Sequence, residues 1–185
     1  EHSIWQETHQ DTHPVGPKMT EISSKMISYS SMIKSLDPGA IVFGPEEYGW
    51  GGYFWSGYDQ QQYAKGLAGC PPTCPDKSAN GNMDYMPWLL KQLYAYQVAH
   101  GTHVLDVFSL HYYPQGDGSG HQEYSNDVSP ATELLRNKST RSLWDPNYVD
   151  ASWESTTGNG NVALSPRMKS WVSTHYPGLK PAITQ

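Results

Sequence analysis

The two ends of the sequence hold the residues best suited to acid–base and nucleophilic chemistry. The chain opens Glu1-His2-Ser3-Ile4-Trp5 and closes Pro181-Ala182-Ile183-Thr184-Gln185. Glu1 reads as an acid leaving a strand, just ahead of an aromatic. The closing run reads as a strand whose end would hold a partner carboxylate, but Gln185 is an amide. Cleavage of a glycosidic bond uses two carboxyl groups flanking that bond. One protonates the leaving oxygen and the other attacks the anomeric carbon, about 5–5.5 Å apart in the retaining route. Groups this distant in sequence come together when both sit on strand ends facing one mouth of a barrel. Gln is nearly isosteric with Glu, yet its amide oxygen is a poor nucleophile. A chain with Gln185 could therefore bind a sugar and fail at the covalent step.

Glu46-Glu47 is the rival pair. Neighbouring strand residues point to opposite sides, so one is expected to be a substrate or acid/base contact and the other to be structural. His111-Tyr112-Tyr113 closes an apolar run, where it could hydrogen-bond sugar hydroxyls, orient a nucleophile, or form a satisfied buried polar pair. Trp5, Trp50, Tyr53, Phe54, Trp55 and Tyr58 are candidate platforms for the C–H faces of sugar rings, and each could equally be core. His9-x-Asp11-x-His13 has metal-ligand types without a clear third and fourth ligand, so loop hydrogen bonds are expected there, with no metal and no cofactor. Cys70-Pro-Pro-Thr-Cys74 could close a disulfide, which suits a secreted protein; free thiols and a two-thiolate metal site are the alternatives. Asn137-Lys138-Ser139 matches an N-glycosylation sequon, relevant only in a eukaryotic secretory host.

The elements that must position these groups are legible in the apolar pattern. Residues 20–35 form a helix with Ile22, Met26, Tyr29 and Ile33 on one face. Asp37-Pro38-Gly39 stops it, and residues 40–43 follow as an apolar strand covered on both faces. A long irregular stretch, 48–82, leads to a second helix over 84–100, with Met86, Leu89, Leu90, Leu93 and Tyr96 inward and Gly101 as stop. A strand over 104–110, a second long loop, a helix opening at Ser165-Pro166 and a strand over 180–184 complete the order. Met168, Trp171, Val172 and His175 make that helix's inner face. Such alternation argues for a parallel sheet with helical crossovers, with ligand-binding residues just after the strands.

Composition bounds the rest. The 185 residues suffice for one core but fall short of the roughly 250 of a complete (β/α)₈ barrel. Aromatics reach 12% and charged residues only 16%, against about 25% charged in an average domain. Trp and Tyr far outnumber Phe, which favours wet stacking surfaces. The net charge of −6, without a basic run, argues against nucleic acid and anionic membrane as partners. No apolar run approaches the eighteen or so residues of a membrane span, and no signal peptide is visible.

Several motifs together resemble glycoside hydrolase family 44, the endoglucanases and xyloglucanases. They are Glu1 with Ser3-Ile4-Trp5, Thr8-His9-Gln10-Asp11-Thr12-His13-Pro14, Gly44-Pro45-Glu46-Glu47-Tyr48-Gly49-Trp50, Gly52-Tyr53-Phe54, Ser56-Gly57-Tyr58-Asp59, Met83-Asp84-Tyr85, His111-Tyr112-Tyr113-Pro114-Gln115 and Thr140-Arg141-Ser142-Leu143-Trp144-Asp145. The resemblance implies an α/β fold of the parallel (β/α)₈ TIM-barrel type, with residues 1–185 forming a partial catalytic domain of strands four to seven only. It implies Glu1 as acid/base and places Gln185 where the family has its nucleophile Glu. The Asn that precedes the acid/base in the family is not part of this sequence. The implied activity is a retaining endo-β-1,4-glucanase, secreted, monomeric and free of cofactors, acting on β-1,4-glucan or cello-oligosaccharide and on xyloglucan as a further candidate. A non-catalytic β-glucan-binding protein is the alternative that Gln185 suggests. The open sheet edges of a partial barrel leave a fragment without independent function as a third.

Overall fold

A computed structural model of the chain describes residues 14–66, 70 and 73–185. It divides into two compact units: the stretch Tyr113–Ser170, and the chain up to Tyr112 together with Trp171–Gln185. The second of these carries α1 (Met19–Leu36), β1 (Phe43–Glu47), α2 (Trp50–Phe54), α3 (Gly57–Ala64), α4 (Pro75–Ala79), α5 (Tyr85–His100), β2 (Val107–Leu110) and β3 (Lys180–Ile183). Its described strands form one parallel sheet in the order β1-β2-β3, as the alternation of apolar runs and amphipathic segments predicts.

The helix limits follow local chemistry. α5 starts after Asp84 and ends at Gly101, whose φ of 68° is the left-handed geometry that glycine adopts without a Cβ penalty. Met86, Leu89, Leu90 and Leu93 are fully buried. α1 packs on α5, and Ser31 Oγ donates to Tyr96 Oη at 3.2 Å. At the foot of the sheet, Lys34 Nζ donates to the Ala40 carbonyl at 2.5 Å and to Asp106 Oδ2 at 2.7 Å. The same Asp106 oxygen accepts the Val42 N–H at 2.7 Å, so one ion pair ties the end of α1 to the entries of β1 and β2.

Three expectations are corrected. β1 runs from Phe43 through Glu47, not over 40–43, and Ile41 and Phe43 are exposed rather than covered on both faces. The reason is register: the first rung is made by the Val42 carbonyl, which accepts from Asp106 and Val107, and the ladder continues upward from there. β2 accordingly starts at Val107, while Val104 and Leu105 are buried without joining the ladder. On α1 the buried positions are Met19, Ile22, Ser23 and Ser30, while Tyr29 and Ile33 are exposed. Periodicity marks a face, and which part of it is covered depends on where α5 lies.

The stretch expected to be irregular, 48–82, holds α2, α3 and α4. These helices are too short for intrinsic propensity to sustain, and tertiary hydrogen bonds hold them. Ser56 caps α3 by accepting from Asp59 N–H. The buried Asp59 carboxylate accepts the N–H groups of Asp76 and Lys77 at the start of α4, both at 2.8 Å. Asp76 Oδ2 in turn accepts the Met19 N–H at 2.8 Å, at the start of α1. Cys70 and Cys74 form a disulfide, as one of the readings of their spacing has it. Gly16 lies so close to α3 that a Cβ would fall 2.2 Å from the Gly57 carbonyl oxygen.

In the unit Tyr113–Ser170, Ser129 caps α6 (Pro130–Ser139), and Pro130 occupies its first position. Two 3₁₀ turns follow, Thr140–Leu143 and Trp153–Thr156. Loop carbonyls are gathered by arginines: Arg136 donates to Glu123 and Ser125, and Arg167 to Asn159, Asn161 and Val162. α7 (Leu164–His175) begins slightly ahead of the expected Ser165-Pro166 start and passes from this unit into the other. Met168, Trp171 and Val172 are buried on it, as expected. No described helix is long and apolar enough to cross a membrane.

Candidate active site

The parallel sheet brings its chemistry together at the C-terminal ends of the strands. β1 carries a bulge: Phe43, Gly44 and Pro45 pair with Val107, Phe108 and Ser109, then Glu47 pairs with Leu110, leaving Glu46 as the extra residue. Glu46 has φ 57°, a left-handed geometry uncommon for a side chain with a Cβ. Its carboxylate gathers donors from both other strands. Oε1 accepts Ser109 Oγ–H at 2.5 Å. Oε2 accepts Thr184 Oγ1–H at 2.5 Å and faces His111 Nε2 at 2.8 Å. Burial pushes the Glu46 pKa up, but the hydrogen bonds from Ser109 and Thr184 and the charge and hydrogen bond of His111 outweigh it, so the carboxyl sits below its ordinary value. The arrangement is a partly exposed anion that stays ionised.

Glu47 takes the other course. It is fully buried, its Oε1 accepts the Tyr48 N–H at 3.0 Å, and its carboxylate lies against Gly52, where a Cβ would come within 2.5 Å of Oε1. Gly52 is thus a glycine because the carboxylate occupies the place of a side chain. The two adjacent glutamates diverge, one to the open strand ends and one to the interior.

Residue 185 leaves β3 beside this cluster. Thr184 N–H donates to the Leu110 carbonyl at 3.1 Å, and the Gln185 carbonyl accepts the Tyr112 N–H at 2.8 Å. Gln185 itself is exposed. Tyr53 donates its hydroxyl to the His111 carbonyl, and the His111 N–H goes to the Glu47 carbonyl at 2.9 Å.

Of the expected site residues, the sheet brings Glu46, His111 and Gln185 to one end. Glu1 and Trp5, and the His9-x-Asp11-x-His13 group, lie outside the described residues. The platform role of Trp50 and Tyr53 is corrected: both have no exposed surface. Trp50 meets Phe54 edge-on at 4.9 Å and Tyr53 at 6.0 Å, and Phe54 packs on Trp171 at 6.3 Å. These rings are the core under the strand ends, so no sugar reaches their faces. Tyr112 is also nearly covered, at 6% exposure, and contributes its backbone N–H rather than an open ring. Trp55 is half-buried, with Lys77 Nζ at 5.5 Å from its ring. Tyr113 belongs to the other unit, where its carbonyl accepts from Gln115 at 2.8 Å. Sequence reasoning missed Ser109 and Thr184 as partners of Glu46. The only signal was a hydroxyl inside each of two apolar runs.

The sequence model of glycoside hydrolase family 44 matches residues 1–116. Endoglucanase A of Paenibacillus lautus is 33% identical over 187 aligned residues, which take in all of this chain and 25% of that protein. Among solved structures, CelM2, a bifunctional glucanase-xylanase from a metagenome library, is 54% identical with a TM-score of 0.87, over all of this chain and 33% of that one. The xyloglucanase of Paenibacillus polymyxa, solved with xyloglucan, is 32% identical with a TM-score of 0.80, over all of this chain and 34% of that one. The chain thus spans about a quarter to a third of the length of these three proteins.

Proposed function

The chain belongs to glycoside hydrolase family 44, and we propose that it is part of the catalytic domain of a retaining endo-β-1,4-glucanase that cleaves cellulose-like chains, with xyloglucan as a further substrate. In this reading the chain belongs to the part of a (β/α)₈ barrel that holds strands four to seven, with β1, β2 and β3 as the fifth to seventh. The observation that carries the reading is the meeting of Glu46, Ser109, His111 and Thr184 at the C-terminal ends of parallel strands, directly beside residue 185. That is the end at which such sheets act on ligands.

In this reading Glu1 protonates the leaving glycosidic oxygen while the group at position 185 attacks the anomeric carbon, and Glu1 then deprotonates the water that releases the sugar. An amide at 185 fits the seat without supplying the attacking carboxylate, so the chain as it stands binds glucan and stops before the covalent step. Trp5, Trp55 and Tyr58 are the remaining platform candidates. The enzyme is extracellular and monomeric; the Cys70–Cys74 disulfide supports the first of these.

The test is Gln185→Glu in the complete catalytic domain. Release of reducing ends from a β-1,4-glucan, with the β-anomer as first product by NMR, is the expected result. Tight glucan binding by the Glu variant without cleavage would replace this reading with a glucan-binding protein.

A further inference from the structure

We propose that Glu46 is a positioning residue: a fixed anion that orients His111 and seats residue 185, and does not itself react with glucan. The inference rests on the glucanase reading for what is positioned, and on the sheet geometry for how.

The bulge is what makes Glu46 available. In an unbroken strand, residues 46 and 47 would alternate in register with β2. Here Glu47 takes the partner that continues the ladder, Leu110, and Glu46 is extruded with φ 57°. Its side chain then reaches across β2 to β3. One carboxylate has roughly four acceptor directions, and three are filled by Ser109, Thr184 and His111 at 2.5, 2.5 and 2.8 Å. A carboxylate so occupied is a weak nucleophile, because each donor stabilises the charge it would have to share. It is also a poor general acid, since the same donors hold it ionised.

The positions that Glu46 does control bear on catalysis. Accepting from Nε2 requires that this nitrogen carry the proton, which fixes the orientation of the imidazole. His111 is faced by Glu46 from β1 and, at its carbonyl, by the Tyr53 hydroxyl from α2. Thr184 is the residue immediately before 185. Its side chain is held by Glu46 and its backbone N–H by Leu110, while the Gln185 carbonyl is held by Tyr112. Residue 185 therefore leaves the sheet from a backbone fixed on both sides. The retaining geometry tolerates little variation in carboxyl separation, which gives such a clamp its purpose.

The experiment compares the complete catalytic domain with its Glu46→Gln, Thr184→Val and Thr184→Ser variants, with and without Gln185→Glu. The first readout, independent of activity, is the solvent exchange of the His111 Nε2–H, followed by NMR of the ¹⁵N-labelled imidazole. The Nε2–H that Glu46 accepts at 2.8 Å should exchange with solvent at least tenfold faster in Glu46→Gln, where the anionic acceptor is gone. The second readout is kinetic, in the Gln185→Glu background. Glu46→Gln and Thr184→Val should each lower kcat at least tenfold with little change in KM, and Thr184→Ser should recover most of the loss. An unchanged exchange rate of the His111 Nε2–H in Glu46→Gln would overturn the proposal. So would rescue of Glu46→Gln by azide with formation of a glycosyl azide, because that marks Glu46 as a reacting carboxylate. If no variant carrying Gln185→Glu cleaves glucan, the glucanase reading fails, while the exchange of the His111 Nε2–H still decides whether Glu46 holds that imidazole.

Discussion

Replacing Asp59 tests how the short helices above the sheet are held. Its carboxylate is fully buried and accepts two backbone N–H groups at 2.8 Å each, from Asp76 and Lys77. Leaving one buried N–H unpaired costs about 1–3 kcal/mol. Asp59→Asn keeps one acceptor oxygen and turns an amide N–H toward the other donor, so it should cost about 1–3 kcal/mol. Asp59→Ala leaves both donors unpaired and opens a void, so about 3–5 kcal/mol is expected, a large share of the roughly 5–15 kcal/mol of a typical domain. The loss should spread, because Asp76 also caps the start of α1. Urea denaturation at several pH values is the assay. The sign of the pH effect is fixed by the direction of the shift: burial, foremost, raises the Asp59 pKa above its ordinary 3.8, against the pull of the two N–H groups. A raised pKa contributes stability that is full below pH 3.8 and is lost as pH rises through the folded value. The advantage of the wild type over Asp59→Asn should therefore be largest in acid and shrink toward neutrality. Equal stability of the two proteins at acid pH, or an advantage that grows with pH, would refute the reasoning.

Three further outcomes follow from the same geometry. The Asp106 carboxyl lies below its ordinary 3.8 because the hydrogen bonds of Lys34 and the Val42 N–H outweigh burial; its contribution is present above that value and lost as pH falls through the folded one. Asp106→Asn should thus cost about 1–3 kcal/mol at neutral pH and flatten the acid limb of a urea-midpoint profile. Trp50→Ala should cost about 3–5 kcal/mol in the same assay, while Trp50→Phe remains folded and binds cello-oligosaccharide with unchanged affinity by calorimetry. Gly16→Ala should lower the thermal midpoint sharply, since a Cβ there would meet backbone of α3 that has no rotamer to yield.

Much of the scaffold was legible in the sequence because the determinants are local. The stop at Gly101, the start after Asp84 and the buried series Met86, Leu89, Leu90 and Leu93 follow from spacing and residue type alone. The parallel order of the strands followed from their alternation with helices. The divergence of Glu46 and Glu47 was also expected, though from strand alternation, whereas the structure achieves it with a bulge. What only the tertiary structure decided is pairing between distant residues. The same aromatic types could be core or platform; the packing of Trp50 on Phe54, and of Phe54 on Trp171, makes them core. α2, α3 and α4 exist because Asp59, Asp76 and the buried rings supply partners that lie elsewhere in the chain. Ser109 and Thr184 join Glu46 only because the registers of β1 on β2 and β2 on β3 align three strand ends. Periodicity marks which residues share a face. It carries no information on which inward or terminal groups will meet, since that is set by register between strands separated by whole helices.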